Sequence, residues 1–471
     1  MRLEEIATIK SKNNAAIVAP AGHGKTEMIV DLTQAYDKKV LLVTHTNAGI
    51  AALKNRLRKR GVNSKRYSIT TIAGFCIRWN SHYPMSAKIS DIPMTDPRYY
   101  SMQYNGAGLI FKNQWARDVL KRTYDCIIVD EYQDCILEQH RIFVEINKTV
   151  PVIVLGDPLQ AIFGWAGKLV SWNNLCFERI PIQTYPWRWK NTNPALGKYL
   201  NDIRSVLLPG LSGYRVSIPV EPIEGCIQVM PTSSKRDSSL YSTVRNYSDV
   251  VYITKMKKDQ ELFSRGSGGV FQNDEAQGLN ELFDTAAAFD KRNGQICSEQ
   301  LLHFLGLCAT GVTNELASYI NHIEKGDYKF DKIKKHPEFG EMIKTVYAER
   351  SNGSIIAILN WFQKQNCFHF HRKELLSEMM RALQYASENN ITIREAAQRI
   401  RIVPGLQKKY SAFRMLSSRT VLSKGLEYDC VIVDLEKGMS VTDYYVALTR
   451  AKRQIILICD SKIITLETPR V

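Results

Sequence analysis

A short glycine-containing segment near the N-terminus has the residue types and spacing of a phosphate-binding loop. It reads Ala-Pro-Ala-Gly-His-Gly-Lys-Thr over residues 19–26, after the apolar run AAIV (15–18) and before a helical pattern. In such a loop, backbone N–H groups and a helix N-terminus face the phosphates, a lysine contacts the β and γ oxygens, and a threonine hydroxyl ligates magnesium. Ala19 replaces the first glycine of the general pattern, and a loop lysine without a ligand is the alternative interpretation. The predicted nucleotide-binding residues of this loop are Ala21, Gly22, His23, Gly24, Lys25 and Thr26.

Two adjacent carboxylates form the second group of residues that could take part in chemistry. Asp130 ends the apolar run CIIVD (126–130), and Glu131 follows it directly. Acidic residues at the carboxyl end of a strand face the crevice where open α/β sheets bind ligands. There Asp130 can hold magnesium through water, and Glu131 can position and deprotonate an attacking water. The alternative is an acidic helix start stabilised by the helix dipole, but the phosphate loop upstream favours the magnesium interpretation.

Short apolar strands must position these groups. VLLVT (40–44) and PVIVLGD (151–157) resemble AAIV and CIIVD, because each is a continuous apolar run that ends in polar or glycine residues. Such runs predict strands buried on both faces, hence a parallel sheet covered by helices. A Tyr-, Pro- and Ser-containing stretch at about 78–124 interrupts the pattern and predicts a small insertion.

A second set of strands is predicted in the C-terminal half of the chain. The segments are IQVM (227–230), VVYIT (250–254), VIVDL (431–435) and QIILIC (454–459). Between them, residues 266–412 are helical in pattern. The sequence therefore predicts a second α/β domain with a helical insertion.

Composition limits the class of protein and of partner. The chain has 471 residues and a net charge of +16, which favours polyanionic partners, although a generally basic surface is the alternative. Its ten cysteines form no C-x-x-C pair, which is typical of reduced thiols in the cytoplasm. Cys367, His369 and His371 have ligand-like types, but without a second cluster this spacing is more typical of a polar patch. The sequence has no apolar stretch of membrane-spanning length, so no membrane association is expected.

Seven segments, in order, resemble the motifs of superfamily 1 helicases of the UvrD, Rep and PcrA type. They are the loop at 19–26, THTNAGIAALKNRL (44–57), DEYQD (130–134), GDPLQAIFGWAG (156–167), YPWRWKN (185–191), SKGLEYDCVIV (423–433) and YVALTRAK (445–452). The resemblance implies an ATP- and Mg²⁺-dependent motor that moves 3′ to 5′ along single-stranded DNA. RNA is the less favoured strand.

The resemblance also implies an architecture of two RecA-like parallel-sheet domains, as in P-loop NTPases, with inserted helical subdomains. The first domain would span residues 1–184, and the second would combine 185–265 with 413–471. Residues 266–412 would form the helical insertion, and ATP would bind between the two RecA-like domains.

Individual roles follow from the matched motifs. Gln160 would sense the γ-phosphate, and Arg188 and Arg450 would act as arginine fingers from the second domain. Trp187 occupies the position of an adenine-stacking aromatic, and Glu427 that of a ribose contact. Magnesium would be held by Thr26 and Asp130. The residues implied to contact the nucleic acid strand are Thr46, Asn47, Thr71, Phe163 and Trp165.

The sequence departs from the family mainly in the segments that hold the strand. The T-x-H segment reads Thr71-Ile72-Ala73, and Gly164 and Ala166 stand where arginines often occur. The segment TVLSKGLEYD (420–429) is one residue shorter than its family counterpart. Such shortened segments, together with the small helical insertion, resemble the Gabija-type helicase of bacterial phage defence, which works with a TOPRIM-domain nuclease, so such a nuclease is the expected protein partner. Two alternatives are a nucleotide-switched DNA-sensing subunit without robust unwinding and an RNA helicase.

Overall fold

The structure is a computed structural model that describes residues 1–90, 92, 96–164, 167–274, 280–402 and 413–469, with the backbone alone at 401 and 402. It divides into two compact units. Unit 1 comprises Met1–Gln228, Gly438–Gln454 and Ser461–Val471, and unit 2 comprises Val229–Lys437 and Ile455–Asp460. Residues 185–228 and 438–454 thus group with the N-terminal sheet, whereas the sequence assigned them to the second domain.

The strands are short and are numbered in chain order. They are β1 (Asn14–Val18), β2 (Val40–Thr44), β3 (Tyr67–Thr71), β4 (Cys126–Val129), β5 (Val152–Gly156), β6 (Val216–Pro219), β7 (Ile227–Met230), β8 (Val250–Thr254), β9 (Gln272–Asn273), β10 (Ala309–Thr310), β11 (His369–Phe370), β12 (Met415–Arg419), β13 (Tyr428–Asp434), β14 (Ala451–Ile458) and β15 (Ile463–Leu466).

The helices are numbered in the same way. They are α1 (Leu3–Ser11), α2 (Lys25–Ala35), α3 (Asn47–Lys59), α4 (Ile72–His82), α5 (Pro84–Ala87), α6 (Tyr99–Phe111), α7 (Gln114–Thr123), α8 (Leu137–Asn147), α9 (Pro194–Leu207), α10 (Ser238–Val244), α11 (Lys257–Gly266), α12 (Asn280–Asp290), α13 (Gly294–Cys308), α14 (Val312–Glu315), α15 (Ala317–Glu324), α16 (Pro337–Glu349), α17 (Asn352–Lys364), α18 (Lys373–Asn389), α19 (Ile393–Ile402), α20 (Thr420–Ser423) and α21 (Val441–Leu448).

A five-stranded parallel sheet forms the centre of unit 1, with strand order β1-β5-β4-β2-β3. Alternate residues of its strands belong to different apolar cores: Leu41 and Val43 pack on one face, and Val40 and Leu42 on the other. The continuous apolar runs are therefore strands buried on both faces, as predicted. Because all pairs are parallel, the carboxyl ends of β1, β4 and β5 meet at one edge of the sheet.

A second sheet has the order β7-β14-β13-β8-β12-β9. Strands β8, β9, β12 and β13 lie in unit 2, where β8 and β9 pair in parallel with β12, and β13 with β8. β7 and β14 each have one end in either unit. Two sheets with parallel pairing confirm the predicted α/β class.

The stretch predicted to be helical contains the helices α12 to α19, which surround one apolar core. The predicted insertion at 78–124 is also mostly helical, with α6 and α7 as its longest elements. Among the described residues, seven strands had no prediction: β3, β6, β9, β10, β11, β12 and β15. The two five-residue strands of this group, β3 and β12, have the sequences YSITT and MLSSR, which mix polar with apolar residues.

Candidate nucleotide-binding site

The phosphate loop connects β1 with α2. Gly24 adopts a left-handed conformation, φ 83°, and α2 begins at the next residue, Lys25. The loop is held by neighbouring backbone and side chains: Ala19 N donates to Gly156 O at 2.9 Å, and Ala21 N donates to Asp157 Oδ2 at 3.1 Å. Both partners come from the end of β5, the strand beside β1, so the sheet itself positions the loop.

His23 lies inside this loop and is almost fully buried. Its Nδ1 lies 2.8 Å from Ala21 O. Burial lowers the pKa of His23, so the ring is neutral at physiological pH. A neutral ring that bonds to the backbone stabilises the loop shape and adds no charge next to the phosphate position.

Lys25 is the charged centre of the site. Its Nζ lies 2.6 Å from Glu131 Oε1 and 3.4 Å from Asp130 Oδ1. Burial lowers the pKa of Lys25, but the attraction of Glu131 and Asp130 outweighs this effect and raises the pKa above its ordinary value. Burial raises the pKa of the Asp130 carboxyl, and Lys25 opposes that shift. The lysine is therefore firmly charged, and it faces both carboxylates that the sequence predicts to act on magnesium and water.

Asp157 connects the loop to the rest of unit 1. This carboxylate is fully buried at the end of β5. Its Oδ1 accepts from Arg204 Nη1 at 2.7 Å, and its Oδ2 accepts from Gln160 Nε2 at 3.1 Å as well as from Ala21 N. Gln133 joins the two acidic strand ends, because its Nε2 donates to Glu131 Oε2 at 2.5 Å and its Oε1 accepts from Asp157 N at 3.0 Å. The network links the phosphate loop with the carboxyl ends of β4 and β5.

The two predicted arginine fingers both lie next to this network, within unit 1. Arg450 is 2% exposed, and its guanidinium donates to Val446 O at 2.9 Å and to Gln160 Oε1 at 3.3 Å. Arg188 N donates to Gly22 O of the phosphate loop at 3.1 Å, and its Nη1 donates to Thr449 O. A hydrogen-bonded path therefore runs from the loop through Asp157 and Gln160 to Arg450.

Two tryptophans flank the loop and differ in exposure. Trp187, the predicted adenine contact, is 56% exposed and lies beside Gly24, where an added Cβ would be 3.2 Å from its Cδ1. Trp189 is 1% exposed, and its Nε1 donates to Ala451 O at 2.7 Å. A Cβ on Gly22 would lie 2.5 Å from Trp189 Cζ3, so the second ring packs directly on the loop.

Glu427, the predicted ribose contact, does not belong to the unit that contains the phosphate loop. It is exposed and belongs to unit 2, directly before β13. All other predicted nucleotide contacts belong to unit 1.

The predicted strand-contacting residues follow β2, β3 and β5. Thr46 is exposed and caps α3, and Thr71 is half-buried and caps α4; each hydroxyl accepts from a glycine N–H three residues on. Thr44 pairs in register with Thr71, so Thr46, Asn47 and Thr71 lie at the carboxyl edge of the sheet that also bears the phosphate loop. Phe163 is half-buried, and Trp165 lies outside the described residues.

The donors at this site fit magnesium. Asp130 offers a carboxylate and Thr26 a hydroxyl, and hard oxygen donors of this kind are those that Mg²⁺ prefers. Thr26 follows Lys25 in the first turn of α2, and Lys25 Nζ contacts Asp130, so the two segments that bear these donors meet at the phosphate loop.

Sequence reasoning did not single out Asp157, Trp189, Tyr445 or Arg204 as site residues. The first three lie within segments that were matched as motifs, so their position was a usable signal. Tyr445 is buried with its ring centroid 5.6 Å from the Arg204 guanidinium, and burial together with the charge of Asp157 raises the pKa of Tyr445. Arg204 lies in α9, outside every motif, and no sequence signal could have found it.

Parts of this chain are similar in sequence to known proteins. The family model described as AAA domain matches residues 3–165. The Gabija protein GajB of Bacillus cereus (strain VD045) is 28% identical over 198 residues, 34% of this chain and 40% of that protein. The RecBCD enzyme subunit RecB of Buchnera aphidicola is 34% identical over 61 residues, 12% of this chain and 5% of that protein.

Among solved structures, the Pif1 helicase of Candida albicans is similar with a TM-score of 0.39 and 12% identity, over 98% of this chain and 95% of that chain. The matches span less than half the length of the curated relatives. The AAA and GajB matches confirm the predicted resemblance to superfamily 1 helicases, including the Gabija type. Within the described residues, no helix has the length and apolar character that crossing a bilayer requires.

Proposed function

We propose, from the premise that residues 3–165 carry an AAA domain, that this protein hydrolyses ATP and uses the energy to move along single-stranded DNA. The observation that carries the proposal is the placement of Lys25 between Asp130 and Glu131, 3.4 and 2.6 Å from their carboxylates. A charged lysine, two strand-end carboxylates and a phosphate loop are the parts that phosphoryl transfer to water requires.

The proposed mechanism begins with an exchange of partners at Lys25. ATP phosphates bind the backbone N–H groups of the loop, and Lys25 moves from Glu131 to the β and γ oxygens. Glu131 is then available to orient a water molecule and accept its proton. The water oxygen bonds to the γ phosphorus, the bond to the β–γ bridging oxygen breaks, and ADP leaves with that electron pair. Thr26 and Asp130 would hold Mg²⁺, which supplies neutralisation of the phosphate charge.

Arg450 and Gln160 are proposed to report the state of the γ-phosphate. Gln160 donates to Asp157 and accepts from Arg450, so a change at the phosphate loop reaches both side chains through hydrogen bonds. The strand contacts proposed for Thr46, Asn47 and Thr71 lie at the same sheet edge. Coupling between hydrolysis and grip on DNA therefore needs only small shifts of the loops along that edge.

The proposal extends to direction, strand and partner. Movement from 3′ to 5′ is proposed from the resemblance to superfamily 1 helicases, and the net charge of +16 supports a polyanionic track. The similarity to a Gabija protein supports a role in antiviral defence with a TOPRIM-type nuclease as partner.

The first test removes the chemistry of the site. Lys25→Ala and Glu131→Gln should each reduce DNA-stimulated phosphate release by at least about 10³-fold, because each removes a group that acts on the reacting phosphate or water. Lys38→Ala, in the turn between α2 and β2, and Glu4→Gln, on α1, change exposed residues of the same types and should retain wild-type rates. Retained turnover in both site variants would contradict the proposal.

A second test distinguishes a motor from a sensor. A motor displaces streptavidin from a biotinylated oligonucleotide during hydrolysis, whereas a nucleotide-switched sensor hydrolyses ATP and leaves the block in place. Placing the biotin at either end of the oligonucleotide reports the direction. Running single-stranded DNA and RNA of one sequence in parallel identifies the strand, and stronger stimulation by RNA would replace DNA with RNA in the proposal.

A further inference from the structure

Unit 2 contains a cluster of three metal-ligating side chains that the proposed ATPase activity does not use. Glu315 ends α14, His336 directly precedes α16, and Cys367 precedes β11. One ligand atom from each side chain lies within 4.8 Å of the ligand atoms of the other two. Glu315 Oε2 lies 3.1 Å from His336 Nε2, and Cys367 Sγ lies 3.9 Å from the same nitrogen. The chain therefore brings three segments together at one point.

These separations match the edges of a metal tetrahedron. Zinc bonds of ~2.0–2.3 Å place neighbouring ligand atoms roughly 3.3–3.6 Å apart in tetrahedral geometry. The two separations from His336 Nε2, 3.1 and 3.9 Å, bracket that range, and the ligand atoms of Glu315 and Cys367 lie within 4.8 Å of each other. Modest side-chain shifts would therefore bring all three atoms to one ion.

The geometry does not fit a cysteine nucleophile activated by a histidine–carboxylate pair. Such a relay uses both ring nitrogens, one towards the nucleophile and the other towards the carboxylate. Here Glu315 and Cys367 both approach Nε2 of His336. The carboxylate oxygen and the sulfur both lie next to the same nitrogen, so the three atoms cluster around a common point, as metal ligands do.

The surroundings hold the histidine in place and leave access from solvent. His336 has a positive φ of 52° and is capped by the rings of Trp361 and Phe368, with centroids 5.5 and 6.2 Å away. All three ligands are half-buried. Lys335 Nζ lies 2.9 Å from Glu315 Oε2 and is itself half exposed, so it can swing into solvent when a cation takes its place.

We propose that Glu315, His336 and Cys367 form a zinc site, with water as the fourth ligand. Mixed oxygen, nitrogen and thiolate donors in tetrahedral array are typical of Zn²⁺ rather than of Mg²⁺ or Ca²⁺. The ion connects α14, α16 and the segment before β11, and so cross-links three segments of unit 2. Binding releases the thiol proton of Cys367, because the thiolate is the ligand form.

The sequence had pointed to Cys367 together with His369 and His371, and the structure separates these three. His369 is exposed on β11, and His371 is buried and accepts from Arg265 Nε at 3.3 Å. The partners of Cys367 come instead from 31 and 52 residues earlier in the chain. Their spacing matches no zinc motif, which is why the sequence did not predict this site.

The test measures metal binding directly in the full chain, stripped with a chelator and kept in excess Mg²⁺. Titration with Zn²⁺ should saturate at one equivalent and change the fluorescence of Trp361. Co²⁺ should bind at the same site and produce a thiolate-to-cobalt charge-transfer absorption. Cys367→Ser should abolish that absorption, whereas Cys176→Ser, which changes an exposed thiol in unit 1, should leave it intact.

Two further variants separate a metal site from a hydrogen-bonded pair. His336→Asn removes the ring but tolerates the positive φ, and should weaken zinc binding at least tenfold in a folded protein. Lys335→Gln removes the competing cation at Glu315 and should tighten zinc binding. Absence of a one-equivalent site, or zinc affinity unchanged by both Cys367→Ser and Glu315→Gln, would overturn the proposal.

Discussion

Individual charged residues at the phosphate loop balance one another inside the protein. Lys25 is paired with Glu131 and Asp130, and Asp157 is paired with Arg204. An unpaired buried charge costs several kcal/mol, so each partner is needed for stability as well as for chemistry. Loss of one charge therefore affects folding and activity together, so a test that retains charge complements the charge-removing variants Lys25→Ala and Glu131→Gln.

Arg450→Lys is such a test, because it keeps the charge and removes the planar guanidinium fork. The single ammonium group of a lysine cannot donate to both Val446 O and Gln160 Oε1 from the positions that the guanidinium nitrogens occupy. We expect kcat for DNA-stimulated ATP hydrolysis to fall by about 10³, the lower end of the range known for arginine fingers, while ATP affinity changes only a few-fold.

Arg453→Lys is the matched control, since Arg453 is exposed three residues further along β14. It should retain the wild-type rate. Equal rates in both variants would remove Arg450 from the proposed transition-state contacts.

Local elements shape the site through close packing on the phosphate loop. Trp189 fills the space beside Gly22, and its indole N–H is satisfied by Ala451 O. A Cβ on Gly22 would lie 2.5 and 2.6 Å from Trp189 Cζ3 and Cη2 and 3.2 Å from Arg188 Cβ, so these two side chains leave no room for a side chain at residue 22. The segment around Trp189 and the start of β14 therefore determine the loop conformation as much as the loop sequence does.

Gly22→Ala tests this packing. Gly22 has a φ of +72°, and its added Cβ would lie 2.5 Å from Trp189 Cζ3. The left-handed conformation costs an alanine ~1–2 kcal/mol, and the clash adds to this cost. We expect a free energy of unfolding lower by about 3 kcal/mol and weaker ATP binding, measured by urea denaturation and nucleotide titration.

Gly61→Ala separates the two contributions. Gly61 has a similar φ of +67° but open space around the position of the new Cβ. Its loss of stability should be confined to about 1–2 kcal/mol, with normal ATP binding. A Gly22→Ala variant no less stable than Gly61→Ala would show that Trp189 does not restrict the loop.

For the chain as a whole, stability should depend on pH through a buried histidine. His371 is 2% exposed, and burial together with the charges of Arg265 and Arg372 lowers its pKa to about 4. An unfolded histidine has a pKa of about 6.5, so between these values the unfolded chain binds a proton that the folded chain does not. The contribution of neutral His371 is complete above pH ~6.5 and is lost as the pH falls to about 4.

We expect unit 2 of the wild-type protein to lose roughly 2–3 kcal/mol from this residue between neutral pH and pH ~4. His371→Gln should flatten that part of the profile, measured as the urea midpoint by circular dichroism at several pH values. His369→Gln, at an exposed position two residues earlier, should keep the wild-type profile. Identical acid sensitivity of both variants would contradict the assignment to His371.

Most strands could be predicted from the sequence because the apolar residues of each strand by themselves indicate that it is buried. VLLVT and CIIV are apolar throughout, and both are buried on two faces. β3 was not predicted, since its residues are mostly half-buried at the edge of the sheet and the sequence YSITT lacks that signal. The same limit applies to Arg204, whose importance depends on Asp157 and not on its neighbours in the chain.

The types and order of the reactive residues were readable from the chain alone: a phosphate loop after a strand, paired carboxylates after another, and arginines in recognisable segments. These signals are local, because loop and strand-end chemistry needs residues that are close in sequence. The grouping of residues 185–228 and 438–454 with the N-terminal sheet required the folded chain. So did the meeting of Glu315, His336 and Cys367, since contacts between distant segments depend on the path of the backbone and leave no periodic trace in the sequence.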